Sequence, residues 1–197
     1  AALPEATLTA AVGPALGQRL RALARNDDPR AVVPERAVKS IGAEETFAVD
    51  LATRAACERE VVRLVDRVTA RLRQAELQAR TVTLKMRYAN FETLTRSRTL
   101  PAATEVSTLF VATARELLDG LDCGRGVRLL GVSLSGLTPA ADPQGVLDLD
   151  DVDARADVGV ERRAAVERAV DAVRDRYGSR SVGPASLVDG HHRDTRR

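Results

Sequence analysis

Residues 81–88 constrain the fold of this chain more tightly than any other segment. Val82, Leu84, Met86 and Tyr88 alternate without a break with Thr81, Thr83, Lys85 and Arg87. A period of two sends the first set to one face of a strand and the second set to the other. One face is apolar and needs a core, while the other is hydroxylic and cationic. Such a strand belongs in a sheet covered on one side only.

The flanking segments supply the cover. Residues 40–47 read as a first strand. A long helix follows, capped by Thr53 or Asp50, with Cys57, Val61, Leu64, Val65, Val68 and Leu72 repeating at helical spacing. Its opposite face, Arg54, Arg59, Arg63, Asp66, Arg67, Arg71 and Arg73 with Glu58 and Glu60, reads as solvated. Ala89-Asn90 is a turn into a third strand over 91–99. There Leu94 shares parity with Arg96 and Arg98, setting a core residue and two cations on one side unless a bulge intervenes. Pro101 precedes a helix capped by Thr104, with Val106, Leu109, Phe110, Thr113 and Leu117 on one stripe, which stops at Asp119-Gly120. A fourth strand covers 127–135. The order β-α-β-β-α-β gives an α+β domain: a four-stranded, mostly antiparallel sheet with two helices on one face and the other face open.

Around this domain the pattern changes. In residues 1–28 two short helices, 4–11 and 16–26, flank a Gly/Pro turn at 12–17 and carry Leu16, Leu20 and Leu23. That is a small helical hairpin, either an ordinary one or a helix-hairpin-helix whose turn amides hold a DNA phosphate. Pro29 and Pro34 break regular structure in a linker over 29–39 that ends in Arg36 and Lys39. Residues 138–160 form a Pro-, Asp- and Gly-rich strap expected to be extended. A last helix over 161–177 bears Val166, Ala169, Val170, Val173 and Tyr177 on one stripe, and a tail expected to be disordered completes 161–197.

Charge is uneven. The 197 residues carry a net charge of only +2, which announces no polyanion partner by itself. From 39 to 135 there are 15 Lys and Arg against 12 Asp and Glu, whereas 136–160 holds six Asp and one Arg. A weakly basic body and an acidic strap point to different partners. Only Lys39 and Lys85 of the 30 basic residues are lysines. Arginine's planar fork suits phosphate, although Arg- and Ala-rich coding would produce the same bias. Cys57 and Cys123 lack metal-ligand spacing and read as reduced thiols of a cytoplasmic protein. No apolar run reaches membrane-spanning length. Ala1 in place of Met, set in helix-like sequence, reads as the start of a fragment.

Three segments then fall in one order: Lys39-Ser40-Ile41-Gly42, Thr95-Arg96-Ser97-Arg98-Thr99 and Gly124-Arg125-Gly126-Val127-Arg128-Leu129-Leu130-Gly131-Val132. With the elements between them they resemble the little finger domain of DinB-type Y-family translesion DNA polymerases. The resemblance covers about half of the chain. It implies an end of thumb at 1–28, a little finger at 40–137, and a DNA-gripping role without chemistry. Ser40 and Gly42 match a Ser-Ile-Gly motif whose backbone approaches template phosphates, and Lys39 ends a linker lying near DNA. Arg96, Ser97 and Arg98 match a basic-small-basic segment. Arg128 matches the first of two basic positions opening the last strand, and Leu129 stands at the second. Lys85 and Arg87 join the DNA-binding set from alternation alone.

The resemblance also places metal-holding carboxylates, and Mg²⁺, in an upstream palm. The pairs Asp27-Asp28, Glu44-Glu45 and Asp150-Asp151 lack the third acid and apolar strand of such a site, so no catalytic residue is assigned and the fragment is expected to be inactive alone. Gln144, Leu147 and Leu149 look like a sliding-clamp-binding peptide. Primer-template DNA and the clamp are the implied partners, with no membrane and a monomeric state. The rivals are a free-standing DNA-binding or clamp-adaptor protein and a small-molecule-binding β-α-β-β-α-β domain. The second would want a Gly-rich anion loop that the sequence lacks.

Overall fold

A computed structural model describes residues 3–31, 38–140 and 154–187. Its helices are α1 (Glu5–Val12), α2 (Pro14–Ala24), α3 (Arg54–Gln74), α4 (Ser107–Asp119) and α5 (Ala154–Tyr177). Its strands are β1 (Ser40–Leu51), β2 (Leu77–Tyr88), β3 (Thr93–Thr104), β4 (Val127–Ser135) and β5 (Thr138–Pro139). The chain divides into two compact units, Ala1–Ala37 and Val38–Arg197.

In the first unit α1 and α2 are joined by Gly13 alone, at φ +83°, where a side chain would be strained. The turn expected over 12–17 is therefore one residue, because Pro14 starts α2 at a position where its missing N–H costs nothing. Gly17 is helical; a Cβ there would stand 3.1 Å from the Thr9 backbone, so this glycine serves close helix packing.

In the second unit the strands run in the order β1-β4-β2-β3, all antiparallel, and β5 adds a short pairing with Leu77 and Gln78 at the start of β2. The α+β fold with an open sheet is as the alternation in β2 dictates. Cys57, Val61, Leu64, Val65, Val68 and Leu72 of α3 are fully buried, against Val82, Leu84, Met86 and Tyr88 of β2 and Phe110, Ala114 and Leu118 of α4. Thr53 caps α3 by accepting from the Ala56 N–H. Burial pushes the Cys57 thiol up to about 12, with the neighbouring Cys123 adding to the effect, so it is a core apolar group and not a nucleophile.

Three expectations need correction. Strand three runs on through Pro101 to Thr104, and the helix begins only at Ser107. Proline is tolerated there because β3 is an edge strand, and residues 100–103 bulge out between the Thr81–Thr99 and Ala79–Thr104 pairs. Leu118, not Leu117, is the fully buried leucine of α4.

The second correction concerns the α3 face read as solvated. Arg73 is 5% exposed, its guanidinium held by Glu167 at 2.7 Å and Asp171 at 2.6 Å on α5. Arg174 of α5 reaches Asp66 at 3.0 Å.

The third is α5 itself, which begins at Ala154 and docks by its polar face, leaving Val166, Val173 and Tyr177 exposed. Glu167 also accepts hydrogen bonds from the Ser107 N–H and hydroxyl, capping α4, whose own N-cap residue Val106 has no side chain for the task.

Candidate nucleic-acid interface

Strand register assigns every residue of the sheet to a face. On the open side the rows are Ser40–Ser135–Thr81–Thr99, Gly42–Ser133–Thr83–Ser97, Glu44–Gly131–Lys85–Thr95 and Thr46–Leu129–Arg87–Thr93. Hydroxyls dominate this surface, and side chains link along the rows. Thr81 and Thr99 share a hydrogen bond of 3.0 Å, and the Arg87 guanidinium donates to the Thr93 hydroxyl at 2.8 Å. Lys85 and Glu44 sit on strands that flank β4, roughly 9.5 Å apart across the sheet, yet their charged ends meet at 2.8 Å. They meet because Gly131 lies between them without a side chain; a Cβ there would stand 3.0 Å from that of Glu44. Glu44 is thus an intrinsic counter-ion in the middle of the face. Sequence reasoning missed this role, and its only signal was a glycine in the run Leu129-Leu130-Gly131-Val132 of β4.

The other sequence-derived residues divide. Ser40, Gly42, Lys85, Arg87 and Ser97 share the open face by register. Arg96 and Arg98 do not. They pair opposite Leu84 and Val82, so they belong to the helix-side face, and the ladder runs unbroken from Thr93 to Thr99 with no bulge to turn them. They stay exposed because β3 is the sheet's edge, and Arg98 is neutralised by Glu116 of α4. Arg96 donates only to the Thr95 carbonyl among the described residues. Arg128 falls in the irregular stretch where β4 loses register with both neighbours; it lies over the Phe91 ring at 5.3 Å and 3.8 Å from Asp50. Lys39 is exposed just ahead of β1. Arg125, unassigned from sequence, stacks 4.0 Å over Tyr88 and binds Glu92, which holds the Glu92 carboxyl below its usual range. Gln144, Leu147, Leu149 and Arg36 lie outside the described residues.

Among the described residues no group of three His, Cys, Asp or Glu side chains could hold a metal ion. The reason is visible in the candidate pairs. Glu44 points to the open face toward Lys85, while Glu45 points to the opposite side and binds Arg63, so adjacent carboxylates diverge. Asp28 is engaged by Arg30. These residues do not fit a Mg²⁺ site, and no chemistry is derived through one. No helix among the described residues is long and apolar enough to cross a membrane.

Residues 38–147 match the impB/mucB/samB family C-terminal domain. The chain belongs to this family. It carries the C-terminal domain of Y-family, DinB-type polymerases. Three of the family's proteins illustrate the similarity. The DNA polymerase IV of Streptomyces coelicolor is 45% identical over 133 residues, 68% of this chain and 28% of its own length. That of Desulfatibacillum aliphaticivorans is 40% identical over 174 residues, 87% of the chain and 42% of its own. That of Brucella melitensis biotype 1 is 35% identical over 182 residues, 91% and 39%. The chain therefore spans less than half the length of these relatives, and the family match includes β1 to β5, the whole open sheet.

Proposed function

We propose that this chain is the DNA-gripping little finger of a DNA polymerase IV, holding primer-template DNA by its backbone without reading sequence. The observation that carries this reading is the open sheet face: rows of Ser and Thr hydroxyls with Lys85 and Arg87, and no aromatic side chain among them. Single-strand binders stack bases on aromatics, which this face lacks, whereas hydroxyls and cations suit phosphate oxygens. The parent's polymerisation, its Mg²⁺, a tether from Gln144, Leu147 and Leu149 to a sliding clamp, a monomeric state and a cytoplasmic location belong to the same proposal.

The test is fluorescence anisotropy with a labelled 20-base-pair duplex over a salt series. About four neutralised phosphates give a slope of log K against log salt near −3.6. Because Glu44 already holds Lys85, Lys85→Ala with Arg87→Ala should flatten it by about one contact, roughly 0.9, with equal loss on duplexes of unrelated sequence. Salt-independent binding, or no loss in the double variant, would overturn the open face as the interface.

A further inference from the structure

The turn between β2 and β3 holds a bulky residue in a backbone conformation that suits a small one. Phe91 has φ +66°, in the left-handed region where Gly and Asn are at ease and an aromatic residue is strained. Asn90, which would sit there readily, stands one position earlier and accepts from the Glu92 N–H. Backbone hydrogen bonds fix the turn: the Phe91 N–H donates to the Tyr88 carbonyl and the Tyr88 N–H to the Glu92 carbonyl, both at 2.9 Å. Burial does not offset the strain, because Phe91 is 65% exposed.

β4 supplies what cover the ring has. Its register steps from Leu129, opposite Arg87, to Val127, opposite Tyr88, so Arg128 is the extra residue of a bulge. The bulge aims Arg128 over the Phe91 ring, 5.3 Å from its centroid. One face of the ring is covered by the guanidinium, and the other is left to solvent. The charges at this corner are nearly closed. Arg125 is taken by Glu92 and Tyr88, and Arg128 has Asp50 at 3.8 Å, beyond hydrogen-bond reach. Arg87 adds one cation, whose guanidinium donates to the neutral Thr93 hydroxyl. Arg87 and Thr93 belong to the last row of the open face, and Phe91 lies two residues ahead of Thr93. The exposed ring therefore stands at the end of a face whose rows hold no aromatic of their own.

We propose that Phe91 is a stacking site for one unpaired nucleobase at the end of the open face, with Arg128 beneath the ring and within reach of the adjoining phosphate. Rows of hydroxyls and cations suit a backbone and ignore the bases. Where pairing ends, the next base exposes a π-face, and an aromatic ring free on one side is its complement. Every base has such a face, so the contact is indifferent to sequence. Paired bases are closed in their own stack and offer the ring nothing. The site is thus selective for a junction between duplex and single strand, and it accounts for a strained aromatic that the fold does not bury. That a duplex leads up to the ring rests on the function proposed above.

The experiment titrates the full 197-residue chain with three labelled 20-base-pair duplexes. One is blunt, one has a four-nucleotide 5′ dT overhang, and one has the same overhang built of abasic nucleotides. The parent should bind the dT overhang at least fivefold tighter than the abasic one, the lower range for stacking one base. Phe91→Asn should abolish that difference and leave blunt-duplex affinity within twofold. Asn suits φ +66°, so this variant should melt no lower than the parent. Phe91→Tyr keeps the π-face and should keep the difference. 2-Aminopurine as the first overhang base should be quenched by the parent and not by Phe91→Asn. Equal affinity of the parent for dT and abasic overhangs, or a difference that survives Phe91→Asn, overturns the site. Equal loss on blunt and overhang duplexes makes Phe91 part of the duplex grip and overturns it too. Should Phe91→Asn melt lower, the parent's 2-aminopurine signal decides alone, and absence of a quench overturns the site. Lys85→Ala/Arg87→Ala should weaken all three duplexes together. Its failure to do so sinks the open face as the grip, while the dT-to-abasic difference still reads the ring.

Discussion

Gly131, Glu44 and Lys85 show how one missing side chain sets the charge of a surface. The pair crosses a central strand because nothing stands between, and with Lys85 at 37% exposure and Glu44 at 56% it is an exposed bridge of little intrinsic worth, about 0–1 kcal/mol. Its consequence lies in binding instead, since a lysine held by a carboxylate is withheld from phosphate. Glu44→Gln should release it. Duplex affinity should rise by about 1 kcal/mol, roughly fivefold, for one added charge-assisted contact, and the salt slope should steepen by about 0.9. Thermal stability should be nearly unchanged. Weaker binding in this variant would mean that Glu44 orients Lys85 toward DNA rather than restraining it.

At the scale of elements, α5 is held by charge where its sequence advertises an apolar stripe. Arg73 is the centre of that docking, buried to 5% and bonded to Glu167, Asp171 and the Glu105 carbonyl. Removing one partner of a buried ionic cluster leaves the others unpaired, at a cost of about 3–5 kcal/mol. Arg73→Ala should therefore detach α5 while the sheet stays folded. Hydrogen exchange across residues 160–177 should lose protection, with β2 and β4 unaffected; retained protection in α5 would show that Ala164 and the neighbouring packing suffice.

The same element marks the limit of what sequence told. β2 and α3 were legible because one apolar period met one core. The α5 stripe of Val166, Val170, Val173 and Tyr177 has equal periodicity, but its partner face on α3 is arginine, so ion pairs decided the orientation and the period misled. β3 was illegible for a related reason. Both of its faces are polar at the sheet edge, and only pairing with β2 fixes which side Arg96 and Arg98 take. Among the site residues, alternation placed Lys85 and Arg87 correctly on the open face, whereas counter-ions from distant segments, Glu44 and Glu116, left no local trace.

Across the whole molecule the charges are segregated: basic residues border the sheet, and aspartates crowd 136–160. On the proposed function, a body that grips a duplex would keep an acidic segment off it, and such a segment would be free to serve a different partner. Separate partners predict separable losses. Leu147→Ala with Leu149→Ala should abolish binding to the bacterial sliding clamp and leave duplex affinity and its salt slope intact. Two leucines entering an apolar groove contribute about 1.5–3 kcal/mol each, offset in part by the ordering of the segment, which gives affinity on the order of micromolar. If instead these leucines pack on the chain's own surface, the double variant melts lower and binds the clamp as the parent does. Titrating labelled clamp against both proteins, with thermal melts of each, decides between a tether and a structural brace.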